Sequence, residues 1–173
     1  MVKILVFLPR LNMKEQFEKV IQKYKYLPDI KIELIHIFGT PKSLGQNQDA
    51  DIFIARGMTC DKLKESFPEK HILEIQMTSF DILDALIRSR NEFNSKKIAL
   101  CVHNIALYSL KELEEVCHAE IDMYDVKDEE SAKKAIEIAE TKGTDTYIGA
   151  GTVCGICDEK KLQRVHIKTK NEA

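Results

Sequence analysis

Short apolar runs alternate with helical patterns along this sequence, and that alternation limits the folds available to it. The first run, Val2–Leu8, is continuously apolar, which favours a strand buried on both faces of a sheet. Phe17, Val20, Ile21 and Tyr24 follow at the spacing of one helical face. Strands that alternate with helices predict crossover connections, and therefore an α/β fold with a parallel sheet.

The alternation of predicted strands and helices continues to the end of the chain. Residues 30–38 alternate apolar and polar side chains, which predicts a strand near a sheet edge. The other predicted strands are residues 51–55, 71–75, Lys97–Val102, 119–126, 145–149 and 164–169. The order of strands and helices repeats in the two halves, which predicts two doubly wound α/β lobes. We assign residues 1–78 to the first lobe, 79–96 to a connecting helix and hinge, and 97–173 to the second lobe.

Composition excludes several classes of partner. Lys and Arg total 26 against 28 Asp and Glu, so the chain has no electrostatic footprint of a nucleic-acid-binding domain. No apolar run approaches the roughly 20 residues of a membrane helix. Five cysteines without a secretion signal predict free thiols in a reducing cytoplasm. We expect neither a cofactor nor a metal, and no direct contact with nucleic acid or membrane.

The strongest candidate for a ligand site is the turn after residues 51–55. Arg56 and Gly57 lead directly into a helical pattern that contains Thr59. Ligands of open parallel sheets bind beyond the carboxyl ends of the strands, and a guanidinium can hold an oxyanion with two hydrogen bonds. We predict that Arg56 binds a carboxylate or phosphate. The alternative is an ion pair with an acid such as Asp81 that only stabilises the fold.

A second candidate follows the predicted strand at 145–149. Gly149, Gly151 and Thr152 can present backbone N–H groups to an anion at a helix start, or can serve only a tight turn. The stretch is not the full dinucleotide fingerprint, because Cys154 stands where the third glycine belongs.

Two more strand ends carry polar side chains. Thr78 and Ser79 are expected to cap a helix, a role that is compatible with ligand binding because a cap lies beside free backbone donors. Asp81 is expected to orient Arg56 or to cap the same helix. Asn104 can hydrogen-bond a ligand or form a turn.

The cysteines offer an alternative chemistry. Cys154 and Cys157 form a C-x-x-C pair at a predicted helix start, where a lowered thiol pKa would support disulfide exchange. No second such pair provides the further ligands that a structural zinc site needs. Cys60, Cys101 and Cys117 are isolated and are interpreted as core residues.

Four segments together resemble a known family over almost the whole chain. They are ADIFIARGMTCDKLKE, ILEIQMTSFDILDAL, KKIALCVHN and TDTYIGAGTV. In this order they resemble the N-terminal sensor domain of propionate-catabolism activators, which are sigma-54-dependent transcriptional regulators of bacteria. The residues that match the family pattern directly are Arg56, Gly57, Thr59, Ser79 and Asp81.

The resemblance implies two Rossmann-like, three-layer lobes with parallel sheets and an interlobe cleft that binds a small organic acid. In the best-known members that acid is 2-methylcitrate. Binding would relieve inhibition of an attached ATPase domain, so the implied partners are the ATPase and DNA-binding domains of the same regulator. Regulators of this kind commonly self-associate, which adds a homodimer to the expected partners.

This chain departs from the family in ways that bear on the ligand and on the rest of the regulator. The family often has Gly-Asp where this chain has Gly149-Ala150, so the second lobe's half of the cleft differs. No phosphate loop and no basic helix-turn-helix pattern occurs, so we expect an excised sensor domain, with a stand-alone relative as the alternative. The rival hypothesis is an enzyme, either a small-acid lyase or isomerase with His103 as its base, or a thiol oxidoreductase.

Overall fold

The computed structural model describes residues 1–8, 14–24, 26–36, 49–103, 105 and 109–168, except for the side chains of residues 14–16 and 36. The chain divides into two compact units, Met1–Gln76 and Met77–Ala173. The described elements of the first unit are β1 (Val2–Leu8), α1 (Lys14–Tyr24), β2 (Ile30–His36), β3 (Ile52–Ala55), α2 (Met58–Ser66) and β4 (His71–Glu74).

The second unit begins with a helix. Its described elements are α3 (Ser79–Phe93), β5 (Lys97–Val102), α4 (Leu110–Cys117), β6 (Glu120–Asp125), α5 (Glu129–Thr141), β7 (Thr146–Gly149), α6 (Gly151–Lys160) and β8 (Arg164–His166). Every strand pair is parallel, and the strand orders are β2-β1-β3-β4 and β6-β5-β7-β8. The second order is the first one repeated four strands later.

The predicted α/β class and the two parallel sheets are confirmed. β1 and β5 have the predicted bounds, and the other described strands begin or end within a few residues of theirs. β2 is an edge strand, as its alternating pattern predicted, and β1 lies between β2 and β3. A central strand is covered on both faces, which is why β1 is apolar throughout its buried half.

Aromatic side chains form much of the first unit's core. The Phe7 and Phe53 rings meet edge to face at 5.3 Å, and Phe53 meets Phe67 in the same way at 5.6 Å. Cys60 and Leu63 of α2 are fully buried in this cluster, so α2 is held firmly against β3. Helix α1 is less completely buried, because Val20 and Tyr24 of its predicted apolar face are 46% and 53% exposed.

The second unit has three layers. Helices α3 and α4 pack on one face of its sheet, where Ile82, Ala85 and Leu86 of α3 are fully buried beside Ile98 and Leu100. Helices α5 and α6 cover the opposite face. The helix assigned from sequence to the connection at 79–96 therefore contributes to the core of this unit.

Helix α3 runs against the direction of the strands. Ser95, just beyond its C-terminal end, shares a hydrogen bond of 2.7 Å with Thr146, the first residue of β7. Arg88, nearer the middle, donates from Nη2 to the His166 carbonyl oxygen at 2.7 Å. Because a helix of 15 residues is about 22 Å long, the N-terminus of α3 lies toward the carboxyl edge of the second sheet.

None of the described helices is both long enough and apolar enough to cross a lipid bilayer.

Candidate ligand-binding site

The predicted site in the first unit is the connection from β3 to α2. Gly57 is the N-cap of α2 and has φ 52° and ψ −135°, a conformation that side chains rarely adopt. Its carbonyl oxygen accepts from the Cys60 N–H at 2.7 Å and so closes the first turn. The partly buried Arg56 stands between the last strand residue, Ala55, and this glycine, and Thr59 is the second residue of the helix.

The predicted site in the second unit is the connection from β7 to α6. Gly149 ends the strand, Ala150 is the N-cap, and Gly151 and Thr152 are the first two helical residues. Gly149 is needed for space, because a Cβ there would lie 2.6 Å from the Cβ of Val153. Thr59 and Thr152 occupy equivalent positions, because each is the second residue of the helix that follows the third strand of its unit.

Both connections lie at the point where strand order reverses. From β1 the chain steps to β2 on one side of the sheet and then to β3 on the other, and β5, β6 and β7 repeat this arrangement. In open parallel sheets this reversal leaves a crevice at the carboxyl edge, which is where ligands bind. Arg56, Gly57 and Thr59 lie together at one such point, and Gly149, Gly151 and Thr152 lie together at the other.

Thr78 and Asp81 form a reciprocal cap at the start of α3. The Thr78 hydroxyl accepts from the Asp81 N–H at 3.2 Å, and Asp81 Oδ2 accepts from the Thr78 N–H at 2.8 Å and from its hydroxyl at 3.0 Å. The Asp81 side chain is buried, with only 4% of the residue exposed. The predicted capping role is confirmed for Thr78 and Asp81 but not for Ser79, which lies within the helix rather than at its cap. Ser79, the first residue of the helix, is exposed at the carboxyl edge of the second sheet.

The starts of α2 to α6, whose caps the structure describes, fall into two groups. Side chains cap α3, α4 and α5 through Thr78, Ser109 and Asp128. Neither Gly57 at α2 nor Ala150 at α6 provides a side-chain cap. The first backbone N–H groups of a helix carry partial positive charge, so a start without a side-chain cap is suited to an anion.

Asn104, the remaining predicted residue, lies outside the described part of the chain. Its neighbour His103 follows β5 directly, and the His103 Nδ1 atom is 2.7 Å from Oδ1 of Asp125, the last residue of β6. The pairing of Val102 with Asp125 in adjacent strands brings these side chains together. Sequence reasoning did not find Asp125, because its signal is a strand register rather than a local motif.

Comparison with known proteins decides the family. The sequence profile of the family described as propionate catabolism activator matches residues 39–173, which is more than half of the chain. The chain belongs to this family. The resemblance inferred from the four sequence segments is thus confirmed. No match to the chain is found among curated proteins.

A solved structure supports the fold of this family member. An NtrC family transcriptional regulator from Clostridium acetobutylicum superposes with a TM-score of 0.81 at 19% identity, covering 98% of this chain and 88% of that chain. The ligand-free, open structure of CD0873, a substrate binding protein with adhesive properties from Clostridium difficile, gives a TM-score of 0.40 at 12% identity, covering 96% and 74%. The first similarity establishes the two-sheet α/β architecture.

The cysteines of this family member lie in its cores. All five are buried thiols that form no disulfide, including Cys154 and Cys157. Burial raises the pKa of the Cys157 thiol to about 12, and it raises the pKa of Cys101 to about 12 in the same layer. Disulfide exchange needs an accessible thiolate, so this geometry opposes the thiol oxidoreductase alternative. Among the described residues no group of three or more His, Cys, Asp or Glu side chains is arranged to hold a metal ion.

Proposed function

We propose that this chain is the ligand-sensing domain of a bacterial sigma-54-dependent transcriptional activator and that its ligand is a small organic anion. The observation that carries the proposal is the β3–α2 connection. A permanently charged guanidinium, that of Arg56, immediately precedes a helix start without a side-chain cap at a reversal of strand order. Cation, helix dipole and crevice all favour an anion at the same place.

In this proposal the two units contribute to one binding event. Arg56 binds an anionic group of the ligand with the help of the Thr59 hydroxyl. The start of α6, at Gly149–Thr152, and the start of α3, at Thr78 and Ser79, supply the second unit's contacts. Asn104 belongs to the same proposed set.

Signalling would follow from a shift between arrangements of the two units. The ligand changes the output only if it binds one arrangement better than the other. The proposed recipients of that change are the ATPase and DNA-binding domains of the same regulator, in the bacterial cytoplasm, with a homodimer as the proposed assembly.

Thermal unfolding against a panel of di- and tricarboxylates, phosphates and acyl-CoA tests the proposal. A ligand at 100 times its Kd stabilises the protein by about 2.7 kcal/mol, which is a readily measured shift. We expect one acid to stabilise the parent chain and not Arg56→Ala. Arg56→Lys should retain only part of the shift, because lysine cannot form the bidentate contact.

Arg164→Ala is the matched control. Arg164 begins β8 at the amino edge of the second sheet and is held by Asp158 through two hydrogen bonds, of 2.8 and 3.0 Å. This variant should respond to the acid like the parent. A response that is equal in Arg56→Ala and the parent would remove Arg56 from the site and leave it a structural role.

A small-acid lyase or isomerase is the second candidate function, and one observation favours it. The His103–Asp125 pair, with 2.7 Å between Nδ1 and Oδ1, is the arrangement that orients a general base. Turnover of a panel acid that disappears in His103→Ala would establish this candidate. Binding without turnover in the parent would establish the sensor.

A further inference from the structure

His103 and Asp125 lie beside the proposed second-unit site. β5 is hydrogen-bonded to β6 on one side and to β7 on the other. His103 follows β5, so it stands at the carboxyl edge between Asp125 at the end of β6 and Gly149 at the end of β7. The described residues around the pair come from β5, β6 and the segments that follow them, so a ligand that reaches both His103 and the start of α6 must span the adjacent ends of β5 and β7.

The pair faces an open hollow of about 440 Å³. Apolar side chains of Val102, Ile105 and Met123 form part of its wall, and His103, Asp125 and Lys127 add polar groups. A volume of this size accommodates a small organic acid. A hydrogen bond next to apolar walls is stronger than one in open water.

Asp125 determines which ring nitrogen carries the proton. An ionised carboxylate only accepts, so Nδ1 of His103 must donate to Oδ1 across the 2.7 Å contact. In a neutral ring the lone pair is then on Nε2, which can accept from a hydroxyl group but not from a carboxylate. The Lys127 Nζ atom, 3.6 Å from Asp125 Oδ2, offsets the carboxylate charge that would otherwise repel an acid.

We propose that His103, held in place by Asp125, is a further ligand-binding residue and accepts a hydrogen bond from a hydroxyl group of the organic acid. The inference rests on the proposed function. It divides the recognition of one ligand between Arg56, which binds negative charge, and His103, which distinguishes hydroxylated acids from their counterparts without a hydroxyl. Asp125 is a positioning residue in this scheme.

Matched acids test the inference by titration calorimetry at pH 8. Citrate and tricarballylate differ by one hydroxyl, and malate and succinate form a second pair. We expect His103→Phe to bind the hydroxylated member about tenfold more weakly, the value of one hydrogen bond, and its counterpart as the parent does. His71→Phe, which changes an exposed histidine at the amino edge of the first sheet, should match the parent for both.

Each result has one meaning. Equal weakening of both members of a pair, or no weakening of either, overturns the role of His103 while leaving the proposed function intact. Failure of the parent chain to bind any of the four acids overturns this inference, whereas the proposed function is overturned only if no member of the whole ligand panel stabilises the chain. If His103→Phe does not fold, Asp125→Ala gives the same discrimination, because it removes the acceptor that keeps the proton on Nδ1 and its loss too should be confined to the hydroxylated acid.

Discussion

The two sheets share one strand order, but their third strands lead into a helix differently. In the first unit Arg56 separates Ala55, the last residue of β3, from the N-cap Gly57. In the second unit Gly149, the last residue of β7, is followed at once by the N-cap Ala150. The first connection is thus longer by one residue, and that residue is a cation. One repeated architecture thus places a cation at one candidate site and only backbone and hydroxyl groups at the other.

The glycines at these two connections serve different physical needs. Gly57 has an unusual backbone, with φ 52° and ψ −135°, yet no atom lies within 4 Å of the position its Cβ would take. Gly149 has no positive φ, yet its Cβ would overlap Val153. The first glycine is required for conformation and the second for close packing of a helix on a strand.

The largest expected effect is that of Gly149→Ala. The new Cβ would meet Val153 at 2.6 Å from its Cβ and 2.7 Å from its Cγ1, so α6 must shift. We expect the free energy of unfolding to fall by about 3 kcal/mol, the upper part of the range for overpacked cores. Hydrogen exchange should locate the loss of protection in the second unit, sparing β1 to β4.

A second substitution sharpens this prediction. Adding Val153→Ala should rescue little, because the Cβ that causes the closest overlap remains. Adding Val153→Gly should recover part of the loss, less about 1 kcal/mol for a glycine in a helix. Stability of Gly149→Ala equal to that of the parent would contradict the packing explanation and leave Gly149 with a binding role alone.

Gly57→Ala should lower the free energy of unfolding less than Gly149→Ala does, because alanine strains the backbone there without creating an overlap. The cost is backbone strain, about 1–2 kcal/mol, with no overlap to relieve. Gly57→Asn should be no better than alanine, because asparagine favours the left-handed region near ψ +45° rather than ψ −135°. Hydrogen exchange in the first unit measures the loss. Full rescue by asparagine would show that the connection relaxes into an ordinary left-handed turn.

The contrast between Gly57 and Gly149 also shows which features could be predicted from the sequence and which could not. Local rules predicted the local features: continuous apolar runs gave the buried strands, and the spacing of Thr78 and Asp81 gave the reciprocal cap. The turn at Arg56 was located because a cation at the end of an apolar run is costly without a partner. The need for a glycine at position 149 depends on how closely α6 approaches β7, which no local pattern encodes.

The pairing of strands that are far apart in sequence was the other feature that sequence patterns did not predict. His103 was visible in the sequence as a candidate base, but its partner Asp125 is 22 residues away and is brought near by the pairing of β5 with β6. The helical period of α1 correctly predicted a helix with an apolar face. It did not predict how much of that face is buried, since Val20 and Tyr24 remain about half exposed. Periodicity gives the orientation of a face and does not tell how much of it another element covers.

Thr78→Ala measures how much a side-chain cap, which the starts of α2 and α6 lack, contributes to stability. The threonine hydroxyl satisfies the Asp81 N–H, and the Asp81 carboxylate holds the Thr78 N–H in return. Loss of such a cap costs about 1 kcal/mol, so the free energy of unfolding should fall by that amount. Thr78→Ser retains the hydroxyl and should be close to the parent. An equal loss in both variants would assign the effect to the threonine methyl group rather than to the cap.

Ala150→Ser gives the smallest effect and has the opposite sign. Ala150 is the N-cap of α6 with extended backbone angles, φ −84° and ψ −168°, which suit a serine cap. Without ligand, serine should raise the free energy of unfolding by about 0.5–1 kcal/mol, because it satisfies a backbone donor that alanine does not. With an anion bound the gain should shrink, since cap and ligand compete for the same N–H groups. Denaturation with and without the acid selected by the ligand panel measures both values, and a gain that is unchanged by ligand would remove the start of α6 from the binding site.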